Sequence, residues 1–223
     1  MKERFILFDF DGVIADSLTV AFEINKMICP DLTDEGYRKR FEGNINDWER
    51  VADGHSAKCH HDIHFFTEYI PRMRDRVGIT VGIKKVIQHL SESHTLIIVS
   101  STITGPIQKF MEKYNLSPYF LEVMGNDIHT SKIEKIKMIL SRYGREPERY
   151  VFITDTLGDI REASHVDIGT IGVTWGIHKQ ETLLKGTPFR VIQKPKDLPL
   201  AVSEYFTKPR KSNPIASLVP RLI

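Results

Sequence analysis

Phe5-Ile6-Leu7-Phe8-Asp9-Phe10-Asp11-Gly12-Val13 is the stretch from which the fold is read. Four consecutive apolar residues with branched and aromatic side chains predict a strand covered on both faces, as in a parallel sheet; a half-exposed strand would alternate instead. Two aspartates and a glycine then end the run, which puts both carboxylates at the carboxyl end of the strand. In an open α/β sheet that edge, where strand order reverses, is where ligands bind. Turn-forming aspartates ahead of a glycine look the same, so this segment alone does not separate a site from a turn.

Further runs of this kind recur along the chain: Thr95-Leu96-Ile97-Ile98-Val99, Tyr150-Val151-Phe152-Ile153, Thr170-Ile171-Gly172-Val173, a weaker one from Phe120 to Met124, and Phe189-Arg190-Val191-Ile192. Helical stripes separate them. Val81, Ile83, Val86, Ile87 and Leu90 form one, and Ile107, Phe110, Met111 and Tyr114 another, with Pro106 suited to that helix's first turn. Ile133, Ile136, Ile139 and Leu140 form a third. Alternation of strand and helix predicts an α/β fold, a doubly wound parallel sheet.

The segment from Ser17 to Ile79 has no convincing strand. Leu18, Ala21, Phe22, Ile24 and Ile28 share a helical face, and Trp48, Val51 and Ala52 suggest a second short helix. Ile63, Phe66, Tyr69 and Ile70 suggest a third, which Pro71 is expected to interrupt or end. The expected organisation is a core of residues 1–16 and 80–207, an inserted helical lobe over 17–79, and an irregular tail over 208–223, where three prolines and no periodicity are found.

Composition narrows the function. With 31 Lys and Arg against 29 Asp and Glu, the net charge is +2, too balanced for non-specific nucleic-acid binding. The apolar run at Phe5–Phe8 is too short for a signal-peptide core or a membrane span, so a soluble cytoplasmic protein without membrane contact is expected, as monomer or homodimer. Cys29 and Cys59 form no C-x-x-C pair and are expected to be thiols, which fits a reducing compartment.

Other strand ends carry chemistry too. The run ending at Val99 delivers Ser100-Ser101-Thr102, and that ending at Ile153 delivers Thr154-Asp155, followed by Gly158-Asp159. Lys132 stands where the Ile133 stripe begins, opposing the dipole of its own helix. Each has a bland reading, Ser100 and Asp159 as helix caps and Lys132 as a solvated lysine. Four such coincidences at one sheet edge outweigh the bland readings taken singly.

In this order, Asp9-x-Asp11-Gly12-Val13, Ser100, Lys132 and Asp155-x-x-x-Asp159 resemble the four motifs of the haloacid dehalogenase superfamily. Asp9 to Ser17 and Ile171 to Gly176 resemble its phosphoglycolate-phosphatase-like branch. The resemblance implies a Rossmann-like core with a helical cap inserted after the first motif, and a phosphatase acting on a small phosphorylated metabolite through an aspartyl-phosphate. It gives Asp9 the role of nucleophile and Asp11 that of general acid and base. It implies Mg2+ held by Asp9, the main-chain oxygen of Asp11 and Asp155, with Asp159 behind them or acting through water. Ser100 and Lys132 would grip the transferring group, helped by main-chain N–H groups near Phe10, Gly12 and Ser101. Two departures stand out: Thr154 replaces a frequent glycine, and Ser101 a frequent asparagine.

The segment Phe41 to Asp47 resembles the cap loop that selects substrate, making Asn44 and Asn46 candidate contacts; an ordinary Asn/Gly turn is the alternative. His55, Cys59, His60, His61 and His64 hint at a metal site, with His60 and His64 four apart on an expected helix, but the ligands divide between faces and no second set completes them. Arg72, Arg74 and Arg76 read as a solvated turn. Two rival functions stay open, a phosphomutase resembling β-phosphoglucomutase and a catalytically silent binding protein.

Overall fold

A computed structural model describes residues 3–48 and 58–207. The first strand, β1 (Phe5–Phe8), runs into a tight loop and a two-residue strand, β2 (Ala15–Asp16). Among the described residues, four helices follow: α1 (Leu18–Ile28), α2 (Asp34–Lys39), α3 (Ile45–Trp48) and α4 (Phe65–Arg76). The chain returns through β3 (Gly78–Ile79), antiparallel to β2 with Ala15 opposite Ile79 and Asp16 opposite Gly78. Then come α5 (Ile83–Ser93), β4 (Thr95–Val99), α6 (Thr104–Lys113), β5 (Phe120–Met124), α7 (Lys132–Tyr143) and β6 (Tyr150–Thr154). The last elements are α8 (Leu157–Ser164), β7 (Gly169–Val173), α9 (Gln180–Leu184), β8 (Arg190–Ile192) and α10 (Leu198–Thr207).

Six strands form one parallel sheet in the order β5-β4-β1-β6-β7-β8. The chain winds outward from β1 to β5, then crosses back to β6 on the other side of β1, so strand order reverses at β1. Successive residues of each strand serve opposite faces. Ile6 and Phe8 join a core with Val86, Ile87 and Leu90 of α5, Ile107 and Phe110 of α6, and Leu198 and Val202 of α10. Phe5 and Leu7 join Ile136 and Ile139 of α7 and Ala163 of α8. Two buried faces are why these strands read as unbroken apolar runs.

The expected α/β sheet is thus present, and several local expectations need correcting. β2 and β3 were not foreseen, because two residues per strand leave no periodic pattern. Val81 lies outside α5 and is exposed, so the stripe begins at Ile83. In α1 the buried residues are Val20 and Ile24. Pro71 does not end its helix: α4 runs six residues back and five beyond it. Thr67, whose carbonyl loses an N–H donor to Pro71, is exposed like Pro71 itself, so solvent serves that carbonyl. His60 precedes α4, and His64 is its N-cap, so the two do not share a helical face; among the described residues no cluster of three or more His, Cys, Asp or Glu side chains forms a metal site by itself. Cys29 and Cys59 form a disulfide, against expectation, because α1 delivers its last turn beside residue 59; a separation of 30 residues gave no hint of this. The cysteine pair thus lends no support to a reducing compartment. Val51, Ala52, His55 and the tail 208–223 lie outside the described residues. No described helix is long and apolar enough to cross a membrane.

Candidate active site

Asp9 directly follows β1, the strand at the reversal point, and its N–H donates to the carbonyl of Ile153 on β6 at 2.9 Å. The next strand end over holds Asp155, so parallel pairing alone brings the two aspartates to one edge. Lys132, the first residue of α7, is 3% exposed and reaches under them. Its Nζ lies 3.0 Å from Asp9 Oδ1 and 2.7 Å from Asp159 Oδ2. Burial works to lower the Lys132 pKa, but Asp159 and Asp9 more than offset it and hold the ammonium above its ordinary value. The lysine is neither solvated nor a helix-start ornament. Asp159 is likewise not a cap: Thr156 caps α8, and its hydroxyl accepts from Asp159 N at 3.2 Å. Burial pushes against ionising Asp159, yet Lys132 together with the Thr154 hydroxyl, which donates at 2.6 Å, holds its carboxyl below the usual range. Thr154, in place of the common glycine, thereby gains a function as donor.

Asp9 is different. Burial raises its carboxyl well above the usual range, and although Lys132 opposes this, Asp159 and Asp155 add to it. Its Oδ1 accepts from Phe10 N at 2.8 Å as well as facing Lys132, which fixes the side chain. Asp155 is fully buried, and burial pushes it up to about 7. Its Oδ2 accepts from Ile177 N at 2.6 Å, whereas Oδ1 is buried with no hydrogen-bond partner. Glycines wall it in: a Cβ on Gly12 or Gly176 would stand 2.2 or 2.1 Å from Asp155 Oδ2. Gly12 also has φ +72, a left-handed value that suits glycine. A buried Asp155 oxygen with no hydrogen-bond partner, on a residue that lines one cavity together with Asp9 and Asp11, fits a small hard cation. Asp9, Asp155 and the Asp11 carbonyl are the residues that would hold it; Asp159 is taken up by Lys132 and Thr154.

Asp11 accepts from Thr102 Oγ1 at 2.7 Å on one oxygen and from the Tyr69 hydroxyl of α4 on the other. Neither donor is marked in the sequence: Thr102 reads as part of a strand end, and Tyr69 as an apolar-face residue. Ser100 is wholly buried and its Oγ accepts from Thr102 N at 3.0 Å, so it orders the loop after β4, while Ser101 and Thr102 line the cavity. Beneath them the buried Lys135 donates to Ser100 O at 2.6 Å. Gly12 N donates to Ala15 O at 2.9 Å, so that N–H shapes the loop in this arrangement.

The helices α1–α4 cover this floor and enclose with it a cavity of about 420 Å³. Its upper wall includes Leu18, Tyr37, Phe41, Phe65 and Phe66. Asn46 lines the cavity and donates to Thr130 O at 2.9 Å. Asn44 is turned instead toward Glu162, donating to Oε1 at 3.2 Å; the same oxygen accepts from Lys132 N at 3.1 Å. Asn44 therefore acts on the lysine's helix rather than reaching into the cavity, and Glu162 is a further residue the sequence did not single out. Arg161 Nη1 donates to Glu42 O at 2.6 Å, and His178 Nε2 lies 2.9 Å from Arg38 O, so loop and helix of the insertion both rest on the core.

Backbone also approaches closely at Gly158, where a Cβ would stand 2.2 Å from Gly43 O and 3.0 Å from Phe41 O. Gly158→Ala is therefore expected to lift the 41–46 loop. Since a misplacement of about 1 Å can cost roughly 100-fold, kcat/KM should fall by about that factor. The atoms in the way are backbone, so making room for the methyl group costs stability that the helical preference for alanine, about 1 kcal/mol, does not fully offset, and Tm should fall modestly. Parallel measurement of kcat/KM and Tm checks both; wild-type kcat/KM would show that the loop takes the methyl group without moving.

An α/β sheet with inserted helices over a buried carboxylate–lysine floor is the class this arrangement defines. The chain belongs to the haloacid dehalogenase-like hydrolase family, which it matches over residues 6–173. Among curated proteins it is similar to a phosphoglycolate phosphatase of Synechococcus elongatus, 24% identical over 207 residues, covering 89% of this chain and 97% of that one. A phosphoglycolate phosphatase of Aquifex aeolicus is 25% identical over 209 residues, covering 87% and 94%. In fold it resembles a conserved haloacid dehalogenase-like protein of unknown function from Agrobacterium tumefaciens, with TM-score 0.75 and 21% identity over 90% of this chain and 98% of that one. A haloacid dehalogenase-like hydrolase from Streptococcus pneumoniae gives TM-score 0.69 and 21% identity over 92% and 98%.

Proposed function

We propose that this hydrolase is a Mg2+-dependent phosphatase for a small phosphomonoester. One observation carries the reading: Asp9, Lys132 and the partnerless oxygen of Asp155 meet at the strand-reversal edge, beneath a lid that encloses them. Similarity to phosphoglycolate phosphatases along nearly the whole chain supports it.

Phe10 N and Lys132 hold Asp9 by Oδ1. In-line attack by the Asp9 carboxylate forms an O–P bond as the bond to the alkoxide breaks, and protonated Asp11 gives its proton to that alkoxide. Water then attacks the aspartyl-phosphate, Asp11 takes a water proton, and inorganic phosphate leaves with Asp9 restored. Lys132 and the donors of Ser101 meet the charge spread over the equatorial oxygens. Asp9, Asp155 and the Asp11 carbonyl would hold Mg2+, which would supply positive charge for the transferring phosphoryl group and offset repulsion among the carboxylates. Residues 17–79 serve as the cap over residues 1–16 and 80–207, and Asn46 contacts substrate from the cap.

Purified enzyme with p-nitrophenyl phosphate tests this. Phosphate release is expected with Mg2+, loss of it with a chelator, and recovery when excess Mg2+ is restored. Turnover indifferent to chelation would overturn metal dependence, and no turnover of any phosphomonoester in a panel would favour the silent binding protein. Free phosphate, rather than an isomerised sugar phosphate, is the product that sets it apart from a phosphomutase.

A further inference from the structure

Every described polar contact of the Asp11 carboxylate comes from a hydroxyl, and the two hydroxyls belong to different parts of the molecule. Thr102 follows β4 of the sheet and is 4% exposed. Tyr69 lies on α4, fifty-eight residues from Asp11 in sequence, and is 1% exposed. Its ring is clamped by Phe65, stacked with centroids 5.0 Å apart and an interplanar angle of 20°. The Ser17 side chain, itself 2% exposed, lies beside that hydroxyl as the N-cap residue of α1. A chain of contacts therefore runs Ser17–Tyr69–Asp11–Thr102 across the junction between the inserted helices and the sheet.

A buried tyrosine that only fills space does not need its hydroxyl on a carboxylate at the reacting edge. The phenol is fixed by its ring, so its oxygen is a rigid point against which the short Asp11 side chain can be aimed. Positioned groups lose much of their effect when displaced by about 1 Å. We propose that Tyr69 is a positioning residue for Asp11, by which seating of the α1–α4 lid aims that carboxyl at the leaving-group oxygen. The proposal rests on the reading of Asp11 as general acid and base. It makes proton delivery conditional on the lid: with the lid lifted, the Tyr69 hydroxyl withdraws and Thr102 alone holds Asp11.

Leaving-group dependence isolates this effect. p-Nitrophenolate departs without protonation, whereas a simple alkoxide requires it, so kcat/KM for a series from p-nitrophenyl phosphate to a simple alkyl phosphate reads out acid delivery. Tyr69→Phe keeps the ring and loses the hydroxyl. The expected loss in kcat/KM is roughly 10- to 100-fold for the alkyl phosphate and within about 3-fold for p-nitrophenyl phosphate, whose KM should hardly change. Ser17→Ala leaves the tyrosine whole and should show the same tilt more weakly, which keeps the test alive should Tyr69→Phe fail to fold. Asp11→Asn is the reference: it should tilt the series most. A tilt in Asp11→Asn with none in Tyr69→Phe or Ser17→Ala overturns the positioning role and leaves the acid intact. No tilt in Asp11→Asn removes the acid role on which the proposal stands. Equal losses for all substrates in Tyr69→Phe, with a lowered Tm, reduce Tyr69 to packing.

Discussion

Asp9→Asn is expected to lower turnover of p-nitrophenyl phosphate by about four orders of magnitude or more, the scale seen when a covalent nucleophile is removed. The amide is nearly isosteric and cannot form the aspartyl-phosphate. The fold should survive the change. Asp9 is a buried carboxyl that burial already holds well above its usual range, and Lys132 keeps Asp159 as a partner in the variant. Rapid quenching after mixing wild-type enzyme with radiolabelled substrate should trap label on the protein, and the variant should trap none. Turnover of the variant at the wild-type rate would falsify the assignment of the nucleophile.

Lys132→Met should damage stability and chemistry together. The ammonium lies between two buried carboxyls, and removing one partner of a buried ion pair costs about 3–5 kcal/mol because the other charge is left uncompensated. The sign with pH follows. In the native protein Lys132 has a raised pKa, so its stabilisation is fully present below the unfolded value near about 10.4 and is lost only at more alkaline pH. In the variant, Asp9 and Asp159 are buried without their cation, so their folded pKa values lie above the unfolded ones. The unfolded chain then binds fewer protons, and stability falls as pH rises from about 4. Metal-free urea unfolding of both proteins at pH 5 and pH 8 should show the gap widening at the higher pH. Turnover should fall by a further 10²–10³-fold, roughly the loss of one fixed donor to the transferring group. A gap that narrows with pH would mean that Lys132 does not neutralise these carboxyls.

Legibility in the sequence follows the range of each interaction. Strands such as Leu96–Val99 and Val151–Ile153 were readable because burial on both faces writes an unbroken apolar run. Asp9, Asp155 and Lys132 were readable as a set because each abuts a strand or helix end, and chain winding brings those ends to one edge. Contacts across the fold leave no such trace. Tyr69 looked like one more apolar-face residue, since nothing local distinguishes a phenol that meets Asp11 from one that meets solvent. Gly176 and Gly158 carry no mark of the carboxylate and carbonyl packed against them, although a glycine three residues beyond the end of β7 hints at close backbone approach. Asn44 was read as a substrate contact because Asn/Gly loops look alike; its partner Glu162 lies 118 residues away. The cysteine pair failed for the same reason, and Pro71 because helix-breaking is decided by which side of the helix faces water.

The two-residue ladder between β2 and β3 has a consequence for descent. Departure and return of the inserted helices meet at Ala15 with Ile79 and Asp16 with Gly78, so the whole lid hangs from a single narrow stalk. Whatever is spliced between those four residues keeps its attachment to the sheet edge as long as the stalk closes, but it must still bring a donor to Asp11. Selectivity can then drift from lineage to lineage in the parts of the insertion that leave the Tyr69 contact in place.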